Sequence, residues 1–234
     1  MLRGGVVGST ANFADGACVE PVMIAVSLAM SALLAVSPIP KNFLITEHDA
    51  RTPSSGVELG EEWWKISDKI DKKLELNPCG RRGTGSDGRV AMRTITYHAT
   101  APLKSSEQLV IYKSPKAAAT ALARLRADVR KCAEHRRGSR AGWDPNGSYR
   151  YVGRAVRLAD EALWVREQAY EEHSGWSSYD WFLAARRGAA LMIYSADDGA
   201  VLGDRSGWKQ LSRKARKMSV KVCELPGVCA HRGR

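Results

Sequence analysis

Cysteine chemistry constrains this chain more than any other feature. There are five cysteines. Cys223 and Cys229 lie in the stretch KVCELPGVCAHRGR, with five residues between them and a Leu-Pro-Gly turn in the middle. Thiols at such spacing can hold zinc, cycle electrons or form a structural disulfide. A zinc site wants two close pairs in the C-x2-C manner, and here one close pair stands alone with a different spacing. A redox pair wants C-x-x-C at a helix start, where the helix dipole lowers the thiol pKa, and this pair follows a helical pattern instead. With Cys18 in an N-terminal leader, Cys79, Cys132, Cys223 and Cys229 remain, and four cysteines allow three pairings. The Cys223–Cys229 loop is the easiest to close, which leaves Cys79 with Cys132. On the chain-entropy model the longer bridge contributes about 4 kcal/mol and the shorter about 2 kcal/mol.

No catalytic constellation accompanies the cysteines. His48, His98, His135, His173 and His231 form no close pair and no H-E-x-x-H. His135 and His173 stand in polar, loop-like surroundings that suit a surface role. There is no G-x-S-x-G elbow. Gly83, Gly85 and Gly88 match G-x-G-x-x-G, but that motif needs a strand before it and a helix after it. Here a cysteine loop precedes and a β-pattern follows, so the match is read as coincidence. Asp197-Asp198-Gly199 is first a turn signal. Glu61-Glu62 and Glu171-Glu172 are adjacent pairs, and adjacent side chains on a strand point to opposite faces. No catalytic residue, metal ligand or cofactor is assigned.

The chain holds seven tryptophans, and the area each buries places most of them in the core. Trp164 and Arg166 share one face of a predicted strand at 162–170, and Trp181 lies on another at 179–187. Exposed beside Arg154 and Arg157, these residues would make a cationic-aromatic surface suited to sugars, lipids or nucleic acid. Trp164, Arg166, Trp181, Arg154 and Arg157 are therefore the candidate ligand-binding residues.

The elements that must position these residues divide the chain at about residue 40. In residues 1–40, Val22 to Val36 run uncharged for 15 residues. That is short of the roughly 20 a spanning helix needs, and it suits the apolar region of a secretory signal, with Ala35-Val36-Ser37 as a small-x-small cleavage site. Met23 offers an alternative start that would make the preceding residues an over-long gene model, and a retained N-terminal anchor is the second choice for the leader. Cys18 leaves with it; ADGAC lacks the apolar residue of a lipid-attachment site. Four cysteines after an export signal read as two disulfides in an oxidising compartment, secreted or at the cell envelope. Residues 41–234 read as a single domain. The chain of 234 residues is 44% hydrophobic and 26% charged, ordinary globular values. Lys and Arg number 36 against 25 Asp and Glu, and the net charge of +11 favours anionic partners.

Alternating, β-branched stretches predict strands at 62–67, 90–98, 107–113, 151–159, 162–170, 179–187 and 189–196. Ser114-Pro115 caps a helix through KAAATALARLRADVRKCAEH, with Leu122, Leu125 and Val129 inward. A last helix over about 206–222 places Trp208, Leu211, Ala215, Met218 and Val222 on one stripe. Short β-β connections favour an α+β fold, an antiparallel sheet packed by two long helices and carrying two disulfides.

The combination SPIPKNFLITEHDAR, NPCGRR, VAMRTITYH, EQLVIYKSPKAAATALARLRADVRKC and KVCELPGVC resembles actinobacterial secreted or envelope proteins of unknown function. More distantly it is similar to the extracellular sensor domains of mycobacterial serine/threonine kinases and to related lipoproteins. The resemblance covers about residues 38–229 and implies an antiparallel sheet flanked by two helices, disulfides, and a ligand-binding cleft. Only Cys79, Cys132, Cys223 and Cys229 carry over residue by residue. A kinase domain is lacking, and so is the lipid-attachment site of the lipoproteins.

The function expected is an exported, non-catalytic, sensor-like binding domain at the cell envelope. Its partner would be an unknown small molecule or anionic envelope component, with peripheral membrane or cell-wall contact. The alternative is an envelope-acting hydrolase using acids such as Glu167 and Asp180, brought together by the sheet. A basic intracellular nucleic-acid-binding protein ranks third, because no recognition motif accompanies the charge.

Overall fold

The computed structural model describes residues 39–49, 63–82, 87–98, 104–135, 148–171, 175–197 and 204–229, all within the compact unit Leu34–Arg234. The leader expected over 1–40 lies outside these residues, save 39 and 40. A short helix, α1 (Ile45–Asp49), precedes strands β1 (Trp63–Ser67), β2 (Arg89–His98) and β3 (Lys104–Tyr112). Helix α2 (Pro115–Lys131) leads to β4 (Glu134–His135), β5 (Tyr149–Val156), β6 (Glu161–Glu171), β7 (Gly175–Arg187) and β8 (Ala190–Asp197), and helix α3 (Asp204–Lys221) follows. The strands form one sheet in the order β1-β2-β3-β8-β7-β6-β5-β4. Every neighbouring pair is antiparallel. The β3–β8 pairing joins the two meanders, with Ser105 opposite Ala196 and Ile111 opposite Ala190.

The α+β class, the antiparallel sheet and the two disulfides follow the expectation. Among the described residues the helices number three, of 5, 17 and 18 residues, rather than the expected pair. They are also distributed over both faces of the sheet. Leu109, Ile111, Met192 and Tyr194 belong to one buried cluster together with Leu211, Ala215 and Met218 of α3. Val110, Tyr112, Leu191 and Ile193 belong to another, with Leu122, Leu125 and Val129 of α2. The runs Leu-Val-Ile-Tyr in β3 and Leu-Met-Ile-Tyr in β8 are apolar on both faces, so each face needs a cover.

Helix α2 begins as its sequence requires. Ser114 is extended and its hydroxyl accepts the Ala117 N–H at 3.1 Å, with proline at the first helical position. It stops at Lys131, earlier than its periodicity suggested, because Cys132 leaves helical geometry to meet Cys79. The second disulfide joins Cys223 and Cys229. It holds a turn whose Val228 is 2% exposed and inside the α3-side cluster. The Val228 carbonyl accepts the Ala189 N–H at 2.8 Å, so this clip is seated on the β7–β8 turn. Gly188 of that turn has φ +55°, and a β-carbon there would lie 2.0 Å from the Val228 oxygen.

Gly188→Ala is therefore expected to lower the unfolding free energy by about 2 kcal/mol or more in urea titration. Removing Cys79–Cys132 by double serine substitution should cost about 4 kcal/mol, against about 2 kcal/mol for Cys223–Cys229, read from the same titrations.

Candidate functional site

The segment from Leu74 to Arg82 folds against α2 and leaves a small cleft between them, with about 60 Å³ of accessible volume. Three links close it at the Cys79 end. The Cys79–Cys132 disulfide spans a Cα–Cα distance of 5.3 Å. The Arg81 guanidinium donates from Nε and Nη2 to the two oxygens of Asp128, each at 2.7 Å. The Asn77 side chain accepts from the Arg81 N–H at 2.9 Å and donates to the Arg81 carbonyl at 2.8 Å. Asp128 is buried in the last turn of α2, the pole of a helix where a negative charge is least favoured. The bidentate arginine offsets that placement, and the same contact holds the Arg81 pKa above its ordinary value.

The inner wall comes from β2 and β3. Arg89, 8% exposed, donates from Nε to Asp87 at 2.8 Å and from Nη1 to the Lys72 carbonyl at 2.7 Å. Across the ladder from Arg89 stands Tyr112, 2% exposed. Its hydroxyl is fully buried and lies beside the Arg89 guanidinium. Burial, then the Asp87 charge, push its pKa up to about 12, so the phenol stays a donor through the physiological range. Leu74, Leu76 and Leu125 supply apolar wall, while Arg82 and Arg124 stand exposed at the mouth. Neither of these two arginines has an ion-pair partner among the described residues.

The five residues expected to bind ligand are placed differently. Trp164 and Trp181 are 6% and 2% exposed, with rings stacked at 5.0 Å. Trp208 of α3 meets Trp164 edge-on at 5.1 Å. Gly207 of α3 lies against the Trp181 ring, where a β-carbon would make an ordinary contact at 3.4 Å. The exposed cationic-aromatic surface is thus corrected to a tryptophan stack covered by α3. Arg166 does reach it, with its guanidinium carbon 5.7 Å from the Trp181 centroid. Arg154 is the cross-strand partner of Trp164 and is exposed. Arg157 lies apart, in the β5–β6 connection, on an open depression of about 480 Å³ that Arg216 also borders.

Glu167 and Asp180 are cross-strand partners on β6 and β7, and Tyr151 on β5 is the partner of Glu167 on its other side. Direct partners share a face, so these three lie on the α2 side of the sheet. Burial, then the neighbouring charge of Glu167, drive the Tyr151 phenol far above its ordinary pKa. Glu167 is itself 2% exposed.

A buried ion pair anchors the N-terminal segment on the opposite face. Arg93 Nε donates to both Glu47 oxygens at 3.0 and 3.1 Å, and its Nη2 also meets Glu47. Glu107 accepts the Ile45 and Thr46 N–H groups at 3.2 and 2.7 Å, satisfying the start of α1. Burial alone would raise the Glu47 pKa, but hydrogen bonds from Arg93 and the Leu44 N–H outweigh it and hold the carboxyl below its ordinary 4.5. Among the described residues no three His, Cys, Asp or Glu side chains are placed to hold a metal, and no described helix is long and apolar enough to cross a membrane. Of the histidines, His98 is stacked on Trp63 at 5.0 Å; the side chains of the other four lie outside what is described. Strand β2 follows Gly88 directly, while residues 83–86 of the glycine match lie outside the described residues.

No protein-family model matches the sequence, and no curated protein matches it. Among solved structures, the chain is similar to the extracellular domain of PknH from Mycobacterium tuberculosis, over 76% of this chain and 93% of that one, at 12% identity and a TM-score of 0.44.

Arg93→Leu strands Glu47 in the interior and should cost about 3–5 kcal/mol. Because the folded Glu47 pKa is depressed, its stabilisation is present above the ordinary carboxyl value and fades as pH falls through it. Urea midpoints of the native protein should thus hold above about pH 5 and drop as pH falls through 4.5 and below, and those of Arg93→Leu should drop less.

Proposed function

We propose that this protein is an extracytoplasmic binding domain that takes a ligand in the cleft between Leu74–Arg82 and α2, without chemical turnover. One observation carries the proposal: a cleft framed by the Cys79–Cys132 disulfide and the Arg81–Asp128 fork is lined by four arginines against two carboxylates. Both disulfides favour an oxidising compartment. With a net charge of +11, an anionic envelope component is the favoured partner class, and contact with the membrane surface or cell wall fits the same charge.

Thermal shift of the oxidised protein against envelope fractions tests this. A saturable shift should survive in Cys223→Ser/Cys229→Ser and be lost in Cys79→Ser/Cys132→Ser, because only the second pair frames the cleft. A shift indifferent to both pairs would place the ligand elsewhere.

A second possibility, a hydrolase, draws on Glu167 and Asp180, which the sheet sets opposite one another on β6 and β7. The burial of Glu167 weighs against it. Mass spectrometry of the recovered ligand separates the two: an unaltered ligand supports binding, and a cleaved product abolished by Asp180→Asn supports hydrolysis.

A further inference from the structure

Helix α3 carries charge of one sign past its first residue. After Asp204 it holds no acid, and bases recur to Lys221 at its end. Its inner stripe, Leu211, Ala215 and Met218, is buried. Lys209, Arg213, Arg216 and Lys217 are exposed on the outside, with no ion-pair partner among the described residues. Lys209 and Arg216 are two turns apart, so the row is about 10 Å long. Val220, 73% exposed, continues it. The charge extends past the helix. On the sheet face that α3 covers, β5 is left bare, with Val152 48% exposed and Arg154 exposed. Exposed Arg157 borders the depression that Arg216 also touches. Arg154 and Arg157 likewise lack an ion-pair partner among the described residues. The acids at that depression are already held, Asp160 by Arg186 and Arg187, and Glu161 by Arg126 and Arg186.

A second observation says what this surface meets. The N-terminal segment enters the fold along the other flank of α3. Ile39, Phe43 and Leu44 are buried in the α3-side cluster. Lys221 Nζ donates to the Phe43 carbonyl at 2.6 Å and lies 4.7 Å from the centroid of its ring, while Lys214 Nζ donates to the Thr46 hydroxyl at 3.3 Å. In the sequence, the uncharged stretch from Val22 to Val36 ends three residues before Ile39. Three residues span at most about 10 Å, so wherever that stretch meets lipid, the entry side of the domain is within reach of the same surface.

We infer that the outer face of α3, with Arg154 and Arg157 at its foot, docks on an anionic lipid surface. The inference goes beyond the ligand proposed for the cleft, which lies on the α2 side of the sheet, and it stands whether or not the cleft binds. Charge complementarity selects the partner. Each Lys or Arg near an anionic bilayer favours the bound state about fivefold, and here six act together without an acid to offset them. The outer face of a helix is convex, so a sheet of headgroups meets all of its outward cations at once, where a single polymer chain would follow one row. Long Lys and Arg stems carry the charge to the headgroups while the backbone stays outside the bilayer. Val220 adds an apolar contact at headgroup level. Helix α2 is also basic, but it covers the opposite face of the sheet, away from the entry of the chain.

The test distributes the full oxidised chain between two vesicle populations in one tube. Sucrose-loaded vesicles of equal parts phosphatidylcholine and phosphatidylglycerol sediment, and plain phosphatidylcholine vesicles stay in suspension. The uncharged stretch from Val22 to Val36 enters both alike, so it cancels in the ratio. A preference of about a hundredfold or more for the anionic vesicles is expected at low ionic strength, falling toward unity as salt approaches about 1 M. Lys209→Gln/Arg213→Gln/Arg216→Gln should lose about a hundredfold of it, three charges at about fivefold each. Lys116→Gln/Arg130→Gln/Lys131→Gln removes the same charge from α2 and should change the ratio by less than about threefold. Should the α3 substitutions lower the melting temperature, Arg154→Gln/Arg157→Gln, which leaves the helix intact, must still cost about twentyfold. No preference for the anionic vesicles overturns the inference. Equal losses in the α2 and α3 variants overturn it too, since net charge alone would then act. If soluble polyphosphate binds the native chain and not the α3 variant while the vesicles show no preference, the face belongs to a polymer and lipid docking falls. The cleft is read separately: its thermal shift with envelope fractions should be unchanged in the α3 variant.

Discussion

The pairing of β3 with β8 is the contact on which the rest of the molecule depends. These two strands are far apart in sequence, yet each carries four large apolar residues in a row. A strand of that composition leaves half of them facing water unless both sides of the sheet are covered. The consequence is the three-layer arrangement, with α3 on one side and α2 on the other. It also fixes the direction of Tyr112. As the last residue of β3, alternating with Ile111, it points to the α2 side, where the helix and the Leu74–Arg82 segment close over it.

That closure has two sources of different character. Leu76, Leu122 and Leu125 bury apolar area, which is not directional. The disulfide and the Arg81–Asp128 fork are directional, and they set where the segment ends rather than whether it packs. The cleft exists because the apolar contacts stop short of filling the space between these fixed points. On the opposite face Trp164 and Trp181 stack, and Trp208 of α3 meets Trp164 edge-on beneath the helix.

How much of this the sequence carried depended on the range of the signal. The Ser114-Pro115 start and the stripe Leu211, Ala215, Met218 and Val222 are local patterns and were legible. The cysteine pairing was legible because one loop was short enough to decide the other. The alternation that sets Trp164 and Trp181 on one face of their own strands is readable, and so is the area that places most tryptophans in the core, but that α3 covers this face is not. Tyr112 and Arg82 carry no local mark of a site: Tyr112 reads as the end of an apolar strand, and Arg82 as part of a loop. Only the tertiary packing brings them together beside α2. The Glu47–Arg93 pair, 46 residues apart, left no trace in either local pattern. One signal was available in NPCGRR, where two arginines follow a cysteine whose partner is on a helix bearing further arginines. A disulfide there had to bring these charges together.

The central claim is that an oxidised Cys79–Cys132 bridge frames a binding cleft in a protein that works outside the cytoplasm. Its most direct test is disulfide mapping on protein recovered from its native host, alkylated before and after reduction and digested for mass spectrometry. The account predicts two linked peptides, Cys79 with Cys132 and Cys223 with Cys229, and alkylation of these four only after reduction. Free thiols at Cys79 and Cys132 in the recovered protein would contradict it, because the cleft would then lack its frame and the compartment its evidence.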